Sequence, residues 1–151
     1  MRIPLRYLTL LAIAAAGGGP PAAGSEQTST ASLVIELTGM TSDEGKAVYA
    51  VWSGGEHWLE DHALREGSVP VSNGTASIAL QGLPYGEYAI SAFHDRNGNG
   101  RLDTGLFGIP KEPLGTSNDA KIRFGPPKYA DAAFVLDQPE QTMRIMIHKI
   151  F

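Results

Sequence analysis

Short runs in which every second residue is apolar set the first limit on what this chain can fold into. Leu33, Ile35 and Leu37 alternate with Val34, Glu36 and Thr38. A period of two places alternate side chains on opposite faces of an extended strand, so the run predicts a half-buried strand. The pattern returns with Ala76, Ile78 and Leu80 inside Thr75 to Leu80, with Phe134 and Leu136 inside Asp131 to Asp137, and with Met143, Ile145 and Ile147 inside Gln141 to His148. Ala47 to Trp52, Ser68 to Ser72 and Glu87 to Phe93 complete the candidate strands.

Turn chemistry separates these runs. Ser42, Asp43 and Gly45 predict a hairpin turn into Ala47, Asn73-Gly74 is a strong two-residue hairpin signal, and Gly82-Leu83-Pro84-Tyr85-Gly86 turns the chain into Glu87. Pro70 lacks a ladder donor, which puts its strand at a sheet edge. Tyr88 follows a turn in the manner of a tyrosine corner, with a buried ring and a hydroxyl bonded back to that turn. Trp58, Leu59, Ala63 and Leu64 are spaced for one or two turns of helix that depend on packing, with Trp58 capping the core. Together these predict an all-β fold: an antiparallel β-sandwich of immunoglobulin-like or transthyretin-like kind, with about seven strands and one short helical turn.

The chain of 151 residues has room for one such domain. Arg2 and Arg6 precede an apolar run from Tyr7 to Ala16, and small residues follow at Ala22, Ala23 and Gly24. That order predicts a secretory signal over residues 1–24, too short in its apolar part to span a bilayer. A polar leader over residues 25–31 and the sandwich over 32–151 follow, with no membrane span left after cleavage and a periplasmic or secreted location. Removing Arg2 and Arg6 moves the formal charge from −4 to −6, which disfavours nucleic acid as a partner. The chain has no cysteine, so thiol catalysis and cysteine-bound zinc are excluded and the core must hold the fold of an expected monomer without disulfides.

One stretch stands outside the strand pattern. Residues 94–118 read HDRNGNGRLDTGLFGIPKEPLGTSN, and side-chain oxygens recur at Asp95, Asn97 and Asn99, followed by Gly100 and Asp103. Alternate oxygens, a glycine at the bend and a closing carboxylate are what a chain needs to wrap a calcium ion. Arg101 would add its backbone carbonyl. Position twelve of the loop is Leu106, not the usual glutamate, so Glu112 and Asp119 are the nearest candidates for a last ligand. With so few carboxylates the affinity expected is about 10⁻⁴ to 10⁻³ M. The alternative is a metal-free turn in which Asp and Asn bond their own backbone. Gly105 to Pro127 beyond it lacks periodicity and is long for a structureless connection, which suggests a functional loop.

The words FHDRNGNGRLDT, FGIPKE, TSNDA and GPP followed by DAAF occur in this order over roughly Ala31 to Ile150. In this the chain resembles a family of exported bacterial proteins catalogued as domain of unknown function 2141. The resemblance implies no established activity. Where that family usually has a glycine and an aromatic after the lysine-glutamate pair, this chain has Pro113 and Leu114, and Thr116 stands where an aromatic is common. LPYGEY is similar, more weakly, to the turn and strand of carboxypeptidase-regulatory-like and collagen-adhesin B-type modules, and the D-x-N-x-N-G-x-x-D run to calcium loops of bacterial surface B repeats.

Two function classes follow. The favoured one is an exported, non-catalytic module whose loop binds calcium and orders Gly105 to Pro127 into a surface for a protein or glycan partner. The other is a small periplasmic hydrolase or lyase using His94, Asp95, Glu112 and Asp119 on the same face. No G-x-S-x-G elbow is present, and nothing in the sequence brings a histidine to a particular serine. His57 and His62 lie five apart, off a common helical face, and Glu56, Glu60, Asp61 and Glu66 read as a solvated surface.

Overall fold

A computed structural model describes residues 29–122 and 125–150. The expected signal segment and most of the leader lie outside the described residues, although the leader's last two residues, Thr30 and Ala31, already belong to the first strand. Eight strands form in chain order: β1 Thr30–Thr38, β2 Lys46–Trp52, β3 Arg65–Pro70, β4 Ala76–Pro84, β5 Gly86–Asp95, β6 Leu114–Thr116, β7 Phe134–Leu136 and β8 Glu140–Met146. One sheet has the order β4-β1-β8 and the other β3-β2-β5-β6, with β7 also paired to β5. The all-β sandwich read from the alternating runs is what the chain adopts.

The alternation explains the core. Leu33, Ile35 and Leu37 of β1 are fully buried, and Ile78 of β4 and Ile145 of β8 meet them from the flanking strands. Ala47, Val51, Tyr88, Ile90 and Leu136 close the core from the other sheet. The Tyr88 hydroxyl donates to the Pro84 carbonyl at 2.7 Å, so the expected tyrosine corner is present.

Several connections differ from the expectation. The turns after β1 and after β3 cross between sheets and do not join neighbours of one sheet. Asn73 and Gly74 do take the positive φ of a tight turn, but only Ser72 and Thr75 bridge across it. Asp43 explains the divergence: its carboxylate accepts from the Asn73 and Gly74 amides at 3.0 and 2.9 Å, tying the two inter-sheet turns together. Those backbone bonds lower the Asp43 pKa from its ordinary value of 3.8. Of the strand pairs, β1 with β8 is parallel, a pairing that an antiparallel reading misses because β8 returns from across the molecule. Residues 53–64 form turns without a helix, and among the described residues the single α-helical turn is α1, Tyr129–Ala132. Asn73, Leu59 and His62 all have positive φ; the latter two break the 53–64 segment where a helix would need continuous right-handed backbone.

The eighth strand, β6, escaped the sequence because three residues carry no readable period. It and β7 lie end to end along the same side of β5, β6 against Ser91–Phe93 and β7 against Gly86–Tyr88. Ile90 falls in the gap. Its amide donates to the buried Ser117 hydroxyl at 2.9 Å, and that hydroxyl donates on to the Ala132 carbonyl. Asn118, at φ 59°, adds a bond from its side-chain amide to the Ala133 carbonyl at 2.7 Å. A serine and an asparagine thus complete a ladder that two short strands leave open. Ser117→Ala should lower unfolding free energy by about 2 kcal/mol, since a buried amide loses its acceptor; urea denaturation measures it, and a change within error would show that the gap needs no bridge.

Candidate functional site

The two outer sheet faces differ in chemistry. On the three-stranded sheet Glu36 and Arg144 face solvent and pair at 2.7 Å. On the larger sheet, the residues of β2 and β5 that alternate away from the core are Val48, Ala50, Trp52, Ala89, Ser91 and Phe93, with the charged Lys46, Glu87 and Asp95 toward the strand ends, and Leu114 and Thr116 of β6 join them. A sheet apolar on both faces has to be covered. Ala89 and Trp52 are buried by that cover. The Trp52 indole meets Trp58 edge-on at 5.9 Å, and Trp58 meets Tyr129 at 5.8 Å. The Trp58 indole N–H donates to the Pro127 carbonyl at 2.8 Å, and the Gly54 amide donates to the Tyr129 hydroxyl at 2.9 Å. Trp58 therefore caps the outer sheet face, not the sandwich core as expected from sequence.

The cover is incomplete. A cavity of about 710 Å³ remains beside Trp52, floored by Ser91, Phe93, Leu114 and Thr116 and walled by Leu102, Ile109 and Pro126. The sequence did carry a signal for the face: Ala47 to Trp52 and Tyr88 to Phe93 are apolar on both strand faces, where a solvent-facing strand would alternate.

One wall is a hairpin rooted in the oxygen-rich loop. Asp95 ends β5, is 1% exposed, and turns inward. Its Oδ1 accepts from the Gly98 and Asn99 amides at 2.8 and 3.1 Å, and its Oδ2 from the Gly100 amide at 2.7 Å. Glu112, also buried, accepts from the Arg96 amide at 3.1 Å and the Asp103 amide at 3.0 Å, clamping both ends of the loop. Asp103 lies on the outer side and accepts from the side-chain amides of Asn97 at 2.6 Å and Asn99 at 3.0 Å. From Asp103 the chain runs out and back, with the Lys111 amide on the Asp103 carbonyl at 2.8 Å and the Gly105 amide on the Ile109 carbonyl at 2.7 Å. Its tip is a 3₁₀ turn, Leu106–Gly108. Gly45 packs under the loop: a Cβ there would stand 1.9 Å from the Asp95 carbonyl oxygen.

Of the residues singled out from sequence, Asp95, Asn97, Asn99, Asp103 and Glu112 are brought together. Arg101 is exposed at the loop's outer turn, where its amide bonds Asn99 Oδ1 at 2.8 Å. Asp119 is elsewhere: its carboxylate accepts from the Met146 amide at 3.2 Å, capping β8, so it does not complete the loop. Among the described residues no three histidine or acidic side chains stand where they could share one ion. The Asp95 and Glu112 carboxylates meet backbone amides of the loop, and the Asp103 carboxylate meets side-chain amides. His94 is fully buried, with Nε2 donating to the Glu44 carbonyl at 2.7 Å and Nδ1 without a partner.

The profile of a family described as "Uncharacterized protein conserved in bacteria (DUF2141)" matches residues 35–144. No curated protein and no solved structure matches the chain.

The geometry separates two aspartates that sequence treats alike. Asp95→Ala removes a buried carboxylate that three part-buried loop amides share and should cost about 3 kcal/mol, whereas Asp103→Ala, bonded only by exposed side-chain amides, should cost under about 1 kcal/mol. Chemical denaturation of both variants checks the ranking; equal losses would contradict it.

Proposed function

We propose, for a chain that belongs to the bacterial family DUF2141, that it is an exported, non-catalytic binding module whose working surface is the roofed cavity on the outer face of the larger sheet. The observation that carries this reading is the cavity itself. An apolar sheet face is partly covered by the connecting loops and left open over about 710 Å³, within the range of small-molecule sites of about 300–1,000 Å³. In this reading the oxygen-rich loop is the rigid post of one wall, with Asp95 and Glu112 fixing where the 103–111 hairpin stands.

Burial speaks against the hydrolytic alternative. His94 has no exposed surface, Asp95 is saturated with amides, and Asp119 belongs to β8. A general base has to reach the proton it takes. Among the described residues no helix is long and apolar enough to cross a membrane.

Mapping neutral fragments by NMR tests the site. Shifts should cluster on the Trp52 indole, Ser91, Leu114 and Thr116; hits that gather on the Glu36–Arg144 face, or no hits at all, would remove the proposal.

A second reading concerns calcium. It is supported by Asp103, whose oxygens meet only the exposed amides of Asn97 and Asn99. Rotating those two amides would turn their oxygens toward an ion held by Asp103 and the Arg101 carbonyl, with an affinity of about 10⁻⁴ to 10⁻³ M. Calcium at ten times Kd should then stabilise the domain by about 1.4 kcal/mol, an effect that Asp103→Ala abolishes. An unchanged Tm at several times the upper Kd, with no calorimetric heat, would leave the loop as a self-bonded turn.

A further inference from the structure

We infer that the cavity takes the hydrocarbon chain of an acyl amphiphile, with the tip of the 103–111 hairpin as an apolar lip at its mouth; the inference rests on the cavity being the binding site. The first ground is the scarcity of polar groups: among the described residues the polar side chains of the lining are the hydroxyls of Ser91, Thr104 and Thr116. The Ser91 hydroxyl is engaged by the Trp52 indole N–H at 3.3 Å, and the Thr116 hydroxyl donates to the Ala120 carbonyl at 3.5 Å. The Trp58 N–H is likewise used, on Pro127. No charged side chain lines the cavity among the described residues. A polar ligand would be stripped of water there and given little in return, which costs free energy unless hydrogen bonds replace the lost ones. Hydrocarbon loses nothing on entering.

The second ground is the lip. Leu106 is 82% and Phe107 97% exposed at the hairpin tip, beside Ile109 on the cavity wall. Phe107 holds a φ of 61°, a left-handed conformation unfavourable for a bulky residue, and within it the ring stands in water. Neither burial nor a backbone preference accounts for two large apolar side chains there. An apolar guest entering at that edge does.

The third ground is the apolar lining, in which Leu102, Ile109, Pro110 and Leu114 stand with Trp52 and Phe93, so that buried contact area sets affinity. Affinity should then follow chain length. Each methylene added should tighten binding about fourfold, the factor that about 0.8 kcal/mol of burial corresponds to, until the cavity is filled.

The test is calorimetric titration of the mature domain with fatty acids and with monoacylglycerols of 8 to 16 carbons, each below its micelle concentration. The expected result is one chain bound per protein, a rise of about fourfold per carbon, and then a plateau; an effect shared by both headgroups assigns the chain, and one confined to fatty acids adds a headgroup contact. Phe107→Ser, at a fully exposed position, should weaken binding severalfold with Tm unchanged, and Thr116→Trp should abolish it if folded. Affinity independent of chain length, or no saturable binding of either series, overturns the inference. Binding of compact aromatics at Trp52 without binding of chains overturns the inference while leaving the cavity as the site. Silence toward chains, aromatics and neutral fragments alike removes both.

Discussion

The Asp95 carboxylate is the point on which the functional half of this molecule turns. It stands at the end of the central strand of the larger sheet and gathers three successive loop amides onto two oxygens. Backbone donors buried without acceptors are costly, and a carboxylate bonds them more strongly than a neutral oxygen would. The loop therefore has one low-energy path. Glu112 fixes that path from the other side by holding the amides of Arg96 and Asp103. Everything the chain does between 103 and 111 starts from the direction these two acids impose.

The second constraint is the inequality of the sheet faces. A sandwich needs each sheet to be apolar on the side facing its partner, and the smaller sheet obeys, with Glu36 and Arg144 paired on its exposed side. The larger sheet carries Trp52, Phe93 and Leu114 on its outer side. Covering them requires the long excursions at 53–64, 102–113 and 125–127, which look structureless in sequence because they are held by the sheet and by each other. Trp58 on Pro127 and Tyr129 on Gly54 are the pins. Loops recruited in this way leave space where side chains do not interdigitate, and the cavity is that space.

Ser117 and Asn118 show how a short motif outside any strand can be structural. Two strands too short to span β5 leave Ile90 unpaired, and one hydroxyl fills the gap while tying it to α1. Asp119, one residue further, caps β8. Three polar residues in a row thus serve the ladders of the sandwich, and the acid among them is spent on an amide of the core scaffold.

From the sequence alone came the strands with clear alternation, the turns between them, the tyrosine corner, and the grouping of Asp95, Asn97, Asn99 and Asp103 into one loop. These follow from local rules: the two-residue period of a strand, the φ preferences of Asn and Gly, and the reach of a short side chain to its own backbone. Tertiary structure alone decided which sheet each strand joined, the parallel return of β8, the three-residue β6, the displacement of the helical turn to 129–132, and the departure of Asp119 from the loop. Each of those depends on partners far away in the chain, and no residue carries in its own neighbourhood the identity of the group that will bond it.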